Sequence, residues 1–125
     1  MMGHLDALMP LRFVILHHTV SGGEHWDLML EQGNTLLTWQ LLREPFELAS
    51  LPIPARRIGD HRKAYLDYEG SLSRNRGDVR RVGEGSVEFE ESTDDGIIFR
   101  LSGSRLAGRF SLTLRGDTWM LNRAD

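Results

Sequence analysis

The 125-residue chain contains no cysteine, and this absence removes three classes of chemistry. A disulfide framework, a thiol nucleophile and a thiolate metal site are all excluded. Any bound metal must therefore be held by imidazole and oxygen ligands. Because disulfides are rare in reducing compartments, a chain without cysteine is typical of a cytoplasmic protein, and we expect that location.

Long apolar runs are missing as well. No stretch of the sequence approaches the roughly 20 apolar residues that a transmembrane helix needs. Residues 1–9 lack the basic region and the long apolar stretch of a signal peptide. We therefore expect no membrane partner.

Helical periodicity is the third absence, since no segment repeats apolar residues at helical spacing over several turns. Short alternating stretches separated by turn signals, with 13 glycines in all, instead favour a mainly β fold. We predict a small single-domain β-barrel with short helical turns over residues 12–125, a sandwich being the alternative, after an N-terminal arm at residues 1–11. The predicted strands are 12–18, 25–31, 35–41, 79–83, 85–91, 96–102, 106–114 and 118–122, with a short strand and a helical turn within 56–65 and loops at 43–55 and 66–78.

The net charge of −3 argues at first against nucleic acid, but the charges are unevenly distributed. The segment from Arg56 to Arg81 holds eight basic and four acidic residues, a balance of +4 that leaves −7 for the remainder. A basic zone beside an acidic remainder can hold a phosphate chain. Fourteen of the 15 basic residues are arginine, which suits phosphate, although the base composition of a genome gives the same bias.

Two histidines and an aspartate surround a Gly-Gly turn in the stretch His18-Thr-Val-Ser-Gly-Gly-Glu-His25-Trp-Asp27. Residues two apart in a strand share a face, so His25 and Asp27 point the same way and Trp26 points the other way. His18 can return to that polar face across the turn. Two imidazoles and a carboxylate are ligands for a divalent transition metal, while the plain alternative is that His18 ends an edge strand in water.

The chain resembles the 3′-phosphoesterase domain of bacterial and archaeal DNA ligase D in three motifs that occur in the same order. The family motif His-Asp-Ala-Arg-x-x-His-Tyr-Asp-Leu-Arg-Leu-Glu has its counterpart in His18 and in His25-Trp-Asp27-Leu-Met-Leu-Glu31. The motif Asp-His-Pro-Leu-x-Tyr-x-x-Phe-Glu-Gly is similar to Asp60-His61-Arg-Lys-Ala-Tyr65-Leu-Asp-Tyr68-Glu69-Gly70. The closing motif Gly-x-x-Leu-x-Gly-x-Phe is similar to Gly103-Ser-Arg-Leu106-Ala-Gly108-Arg-Phe110.

The resemblance implies a role for each matched residue. His18, His25 and Asp27 match the family's manganese ligands, with zinc as the alternative ion. His61 and Tyr65 match its catalytic, phosphate-contacting pair. The implied reaction removes a 3′-terminal phosphate or ribonucleoside from DNA or DNA/RNA ends, with any ligase or polymerase partner as a separate protein. The basic residues that we expect to bind phosphate or nucleic acid are Arg56, Arg57, Arg62, Arg74 and Arg76.

The chain departs from the family pattern in three places. The first loop has Thr19-Val-Ser in place of Asp-Ala-Arg and is one residue longer. Met29 stands where the family has an arginine, so we expect that Met29→Arg restores a phosphate clamp and raises activity. The family's N-terminal arm supplies an arginine, an aspartate and a glutamate, whereas this chain begins with only His4 and Asp6.

These departures leave two alternatives open. One is a module of the same fold that recognises nucleic-acid ends without catalysis. The other is a β-barrel scaffold or small-ligand binder in which the histidine and aspartate set is a coincidence.

Overall fold

The computed structural model describes residues 10–125, and most of that range lies in the strands of one antiparallel sheet. Two short 3₁₀ helices, Leu48–Ser50 and Lys63–Leu66, are the only helices in the range. The prediction of a mainly β fold with short helical turns is confirmed. The strands are β1 (Leu11–Val20), β2 (Gly23–Gln32), β3 (Thr35–Leu41), β4 (Ile53–Arg62), β5 (Gly70–Ser71), β6 (Asp78–Thr93), β7 (Gly96–Gly103), β8 (Ala107–Arg115) and β9 (Thr118–Arg123).

The predicted arm at residues 1–11 lies mostly outside the described residues. Its last residue, Leu11, already pairs with Val87 of β6, so β1 begins one residue earlier than the sequence pattern indicated. Within residues 10–125, neither helix has the length and apolar character needed to span a lipid bilayer.

The sheet closes into a ring of eight strands. The strand order is β1-β2-β3-β4-β9-β8-β7-β6, and β6 also pairs with β1. The 16-residue strand β6 allows this closure because its first part pairs with β1 and its second part pairs with β7. The two-residue strand β5 pairs with the start of β6.

Strand β6 also corrects a prediction, because the two strands expected at 79–83 and 85–91 form one continuous strand. Gly85, which the sequence pattern indicated as the start of the second strand, lies inside it. A Cβ atom at Gly85 would lie 2.1 Å from the carbonyl oxygen of Ser102 on β7. The glycine therefore marks a close approach of two backbones and not a turn.

Apolar side chains cover both faces of β1, β2 and β3. The main core inside the ring includes Phe13, Ile15, Leu28, Trp39 and Phe110. A second apolar cluster packs on the other face of the same strands, and the helix and loop after β4 cover it. Its members are Val14, Leu16, Met29, Leu36, Leu66 and Val79, with Tyr65 and Leu72 packed against them. This second face also carries the candidate site.

Candidate metal and phosphate site

The three predicted metal ligands converge on the second face. His18 of β1 lies directly opposite His25 of β2, and Asp27 lies two residues farther along β2. One potential ligand atom from each residue lies within 4.8 Å of the other two. The carboxylate of Asp27 is 2.8 Å from Nδ1 of His25 and 3.3 Å from Nδ1 of His18. We call these three residues the triad.

The hydrogen bonding of His18 shows what the triad can hold. Its Nε2 lies 2.8 Å from the carbonyl oxygen of Arg76, which can only accept, so Nε2 carries the proton of the neutral ring. The other ring nitrogen, Nδ1, is buried without a hydrogen-bond partner and faces an oxygen of Asp27. With the ring neutral, Nδ1 and the Asp27 oxygen are both acceptors, and a divalent cation between them can bind both. The donor set therefore fits such a cation.

The position of the Arg76 carbonyl depends on the next residue. Gly77 has a φ of +98°, and a Cβ atom there would lie 2.1 Å from the carbonyl oxygen of Thr19. Only glycine combines this conformation with so close an approach to β1. Gly77 thus lets the loop before β6 reach His18.

His61 and Tyr65 form a second pair on the same face. His61 lies opposite Leu36 of the second apolar cluster, and its Nδ1 donates to the carbonyl oxygen of Gly59 at 3.0 Å. The His61 and Tyr65 rings meet edge to face with their centroids 5.3 Å apart. Leu36 also pairs with Glu31 of β2. Glu31 is four residues beyond Asp27, so its backbone lies about 13 Å from that of Asp27 along the strand. The pair thus shares the triad's face without belonging to the triad's contacts.

An ion pair ties the helix of Tyr65 to β2. Nζ of Lys63 lies 2.8 Å from one carboxylate oxygen of Glu31, and the amide of Arg12 donates to the other oxygen at 2.8 Å. Burial disfavours the charged form of Glu31, but these two hydrogen bonds outweigh it and hold the pKa of Glu31 below its ordinary value. This contact fixes the start of the helix beside the strand that carries Asp27.

Arg56 is in register with the triad. It pairs with Gln40 of β3, which in turn pairs with Asp27, so the three residues cross the sheet in one row on one face. The spacing of neighbouring strands puts the Arg56 backbone about 10 Å from that of Asp27. Gln40 was missed by the sequence reasoning, although the alternation of β3 (Leu36, Thr38, Gln40) places this polar residue on the face of Asp27.

Arg57 is directed elsewhere. It pairs with Trp39 of the main core, and its guanidinium lies over the Trp39 ring, 4.6 Å from the centroid. It also donates to the carbonyl oxygen of Thr38 at 3.1 Å and to the carboxylate of Asp60 at 2.9 Å. The structure therefore does not bring Arg57 to the triad's face.

Arg62 and Arg76 line a cavity of about 480 Å³ between the helix that follows β4 and the loop before β6. Tyr65, Tyr68 and Leu72 form part of its wall. Arg74 is exposed in the same loop, with a φ of +61°. The cavity adjoins the triad because Arg76 lines the cavity, while its carbonyl oxygen hydrogen-bonds His18 of the triad.

Met29 is 1% exposed and belongs to the second apolar cluster. It points to the same face as Asp27 but is enclosed by Val14, Leu16 and Leu36 beneath the helix. The expectation that an arginine here restores a phosphate clamp does not allow for this packing, since the guanidinium would have to enter an apolar cluster.

Comparison with known proteins identifies similar chains. The family model for the DNA ligase D 3′-phosphoesterase domain matches residues 16–114. The multifunctional non-homologous end joining protein LigD of Pseudomonas aeruginosa is 30% identical over 132 aligned positions, which cover 95% of this chain. The protein of the same name from Mycobacterium bovis is 28% identical over 119 positions, or 89% of this chain. The chain spans 16% of the length of each of these relatives.

Proposed function

The chain belongs to the DNA ligase D 3′-phosphoesterase family, and we propose that it is a metal-dependent phosphoesterase that removes a terminal phosphate or ribonucleoside from DNA 3′ ends during repair. The observation that carries the proposal is the convergence of His18, His25 and Asp27 around a buried, unpartnered His18 nitrogen. The product is a 3′-hydroxyl end, which ligases and polymerases use. A ligase and a polymerase are the partners that we propose, in the cytoplasm.

The cation in this proposal is manganese, with zinc as the alternative. Two imidazoles and one carboxylate suit these ions better than magnesium, which prefers oxygen ligands. When bound, such an ion lowers the pKa of a water molecule and neutralises phosphoryl oxygens. His18, His25 and Asp27 would hold it.

The second pair supplies proton donors in this proposal. Because Nδ1 of His61 donates to the carbonyl oxygen of Gly59, Nε2 is the free ring nitrogen, and in the imidazolium form of the ring it donates to a phosphate oxygen or passes its proton to the leaving group. The Tyr65 hydroxyl can donate to the same phosphate, which in this proposal lies between the triad and the second pair. Arg56, Arg62 and Arg76 supply positive charge around this surface, which offsets the charge of the DNA backbone.

A direct assay tests the proposal. The protein is incubated with manganese and an oligonucleotide that carries a 3′-phosphate, and both inorganic phosphate and the new 3′-hydroxyl end are quantified. We expect release with manganese and none with a chelator or with Asp27→Asn, which rules out a contaminating phosphatase. A folded parent protein that binds manganese but releases no phosphate contradicts the proposal.

One observation favours a second candidate, a module that binds nucleic-acid ends without catalysis. The position of the family's arginine holds the buried Met29, so one phosphate-stabilising charge is absent from the triad's face. This candidate predicts salt-dependent binding of 3′-phosphate oligonucleotides without phosphate release. The same assay, combined with a binding measurement, separates the two functions.

A further inference from the structure

We propose that the cavity next to the triad binds the nucleotide that precedes the 3′-terminal nucleotide of the DNA strand. The strand then leaves the triad across Tyr65 and Tyr68. This inference rests on the proposed function, because it assumes that the terminal phosphate occupies the triad. It adds a subsite, a strand path and a role for Tyr68.

The cavity has the size and the lining of a nucleotide site. Its volume of about 480 Å³ lies within the range of small-molecule sites, roughly 300 to 1,000 Å³. Two tyrosines, two arginines and two serines contribute to its wall. Aromatic rings with cationic groups form the usual platform for a single nucleic-acid strand, because bases stack on the rings while phosphates meet the cations.

Three aromatic rings lead from the catalytic pair to the cavity. The centroids of His61 and Tyr65 are 5.3 Å apart, and those of Tyr65 and Tyr68 are 5.9 Å apart, both edge to face. Tyr68 is 38% exposed, and its hydroxyl donates to the carbonyl oxygen of Ser71, which holds the ring in place. An exposed ring in a fixed position offers a base a stacking surface at little cost in side-chain entropy.

The two arginines supply the charge for a phosphodiester. Arg62 is exposed at the start of the helix. Arg76 is held in place because its guanidinium donates to the carbonyl and hydroxyl oxygens of Ser73 at 2.9 and 3.0 Å. A ligand that offers both an aromatic base and a phosphate matches this pair and the tyrosines together.

The position of Arg76 indicates the direction in which the bound DNA strand runs. Its carbonyl oxygen hydrogen-bonds His18 of the triad, and the same residue lines the cavity. A strand whose 3′-terminal phosphate lies at the triad therefore reaches the cavity with the nucleotide that precedes the terminal one, which a mononucleoside 3′-phosphate lacks. A free mononucleotide could occupy the cavity by the same contacts, and chain length distinguishes the two ligands.

The experiment compares binding of an eight-nucleotide strand with binding of a mononucleoside 3′-phosphate. Both ligands carry a non-hydrolysable 3′-phosphonate, so that manganese can be present without turnover, and affinities are measured by fluorescence anisotropy for the strand and by competition for the mononucleoside. The variants are Tyr68→Leu and Arg62→Gln. Arg115→Gln is the matched control, because it removes the same charge from an exposed position at the end of β8.

We expect the parent protein to favour the eight-nucleotide strand. Tyr68→Leu lowers that preference about 10-fold, within the range for loss of one base-stacking contact. Arg62→Gln also lowers the preference. It reduces the slope of the logarithm of the binding constant against the logarithm of the salt concentration by about 0.7, the value for one phosphate contact on a single strand. Arg115→Gln keeps the parental preference.

Equal affinity of the parent for both ligands, or parental preference in both variants, overturns the subsite. Loss of strand preference in the variants of a protein that releases no phosphate supports the subsite and overturns the proposed catalytic function. The two proposals therefore fail in distinguishable ways.

Discussion

Nε2 of His18 donates a hydrogen bond of 2.8 Å to the main-chain carbonyl oxygen of Arg76, 58 residues later in the chain. This bond leaves Nδ1 of His18 facing Asp27 and so fixes which nitrogen can bind a metal. Partners of this kind set the orientation of a ligand, and their loss typically costs about 10- to 100-fold in metal affinity.

The first prediction changes Gly77, which brings that carbonyl to His18. Gly77→Ala should weaken manganese binding about 10-fold, because the added Cβ lies 2.1 Å from the Thr19 oxygen and must push the loop away from β1. Isothermal titration calorimetry measures the affinity, and circular dichroism shows that the variant is folded.

Gly33→Ala is the matched control. Gly33 also has a positive φ, +61°, but an added Cβ there meets no atom within 4 Å. Gly33→Ala strains the backbone in the same way but does not push a loop away from its neighbour. It should therefore bind manganese as the parent does. A folded Gly77→Ala protein with parental affinity shows that the carbonyl does not position His18.

The second prediction concerns the triad itself. His25→Ala should abolish manganese binding with little loss of stability, since His25 lies at the polar end of β2 and not in either apolar cluster. His17→Ala is the control, because His17 neighbours His18 but stacks on Trp26 and bonds Glu24 on the opposite face. Equal manganese affinity in the two variants would exclude the triad as the metal site.

Local patterns predicted one part of this site, and long-range contacts determine the rest. The alternation of β2 placed His25 and Asp27 on one face, and the Gly-Gly turn set His18 opposite His25. The Arg76 carbonyl could not be predicted, because a main-chain oxygen carries no residue signature. Arg57 was among the basic residues predicted to bind phosphate. The alternation of β4, however, places its side chain on the face of Trp39 and not on the face of the triad.

The burial of Met29 also depends on contacts between residues that are distant in the sequence. Four consecutive apolar residues of β1, Phe13 to Leu16, indicate a strand buried on both faces. They do not say which later segment covers the second face. That role falls to Leu66 and Leu72, on either side of Gly70, in a region expected to be an open loop.

The third prediction follows from this burial. Met29→Arg should lower the free energy of unfolding by about 3 kcal/mol, because it removes apolar contacts and places an unpaired charge in an apolar cluster. Met29→Leu, which conserves volume, should cost less than about 1.5 kcal/mol. Urea denaturation measures both values. A stable and more active Met29→Arg protein would instead restore the phosphate-clamp interpretation.

The fourth prediction concerns pH. The pKa of Glu31 is lower in the folded protein than its ordinary value of 4.5, so protonation favours the unfolded state. Glu31 therefore stabilises the fold above about pH 4.5, and this contribution disappears as the pH falls through the lowered value. Glu31→Gln should lower the free energy of unfolding by about 1 kcal/mol at pH 7. Urea denaturation repeated at several pH values should show no difference from the parent at the most acidic pH.

Glu91→Gln is the control for that series, since it removes the same charge from an exposed position on β6. It should leave the pH dependence of stability close to that of the parent. A Glu31→Gln penalty that persists unchanged in acid would mean that the side chain acts through packing and not through its charge.

The last prediction concerns His61. Loss of one preorganised donor to a phosphate typically costs about 10²- to 10³-fold in rate, so His61→Ala should lose that much 3′-phosphatase activity. Manganese affinity should not change, because His61 lies on β4 outside the triad's contacts. The assay measures initial rates with manganese and a 3′-phosphate oligonucleotide, and calorimetry measures the affinity. His17→Ala, which removes an imidazole from the other face of the sheet, should keep the parental rate. Parental activity in His61→Ala would exclude the residue from catalysis, whereas a parallel loss of manganese binding would make it part of the metal site.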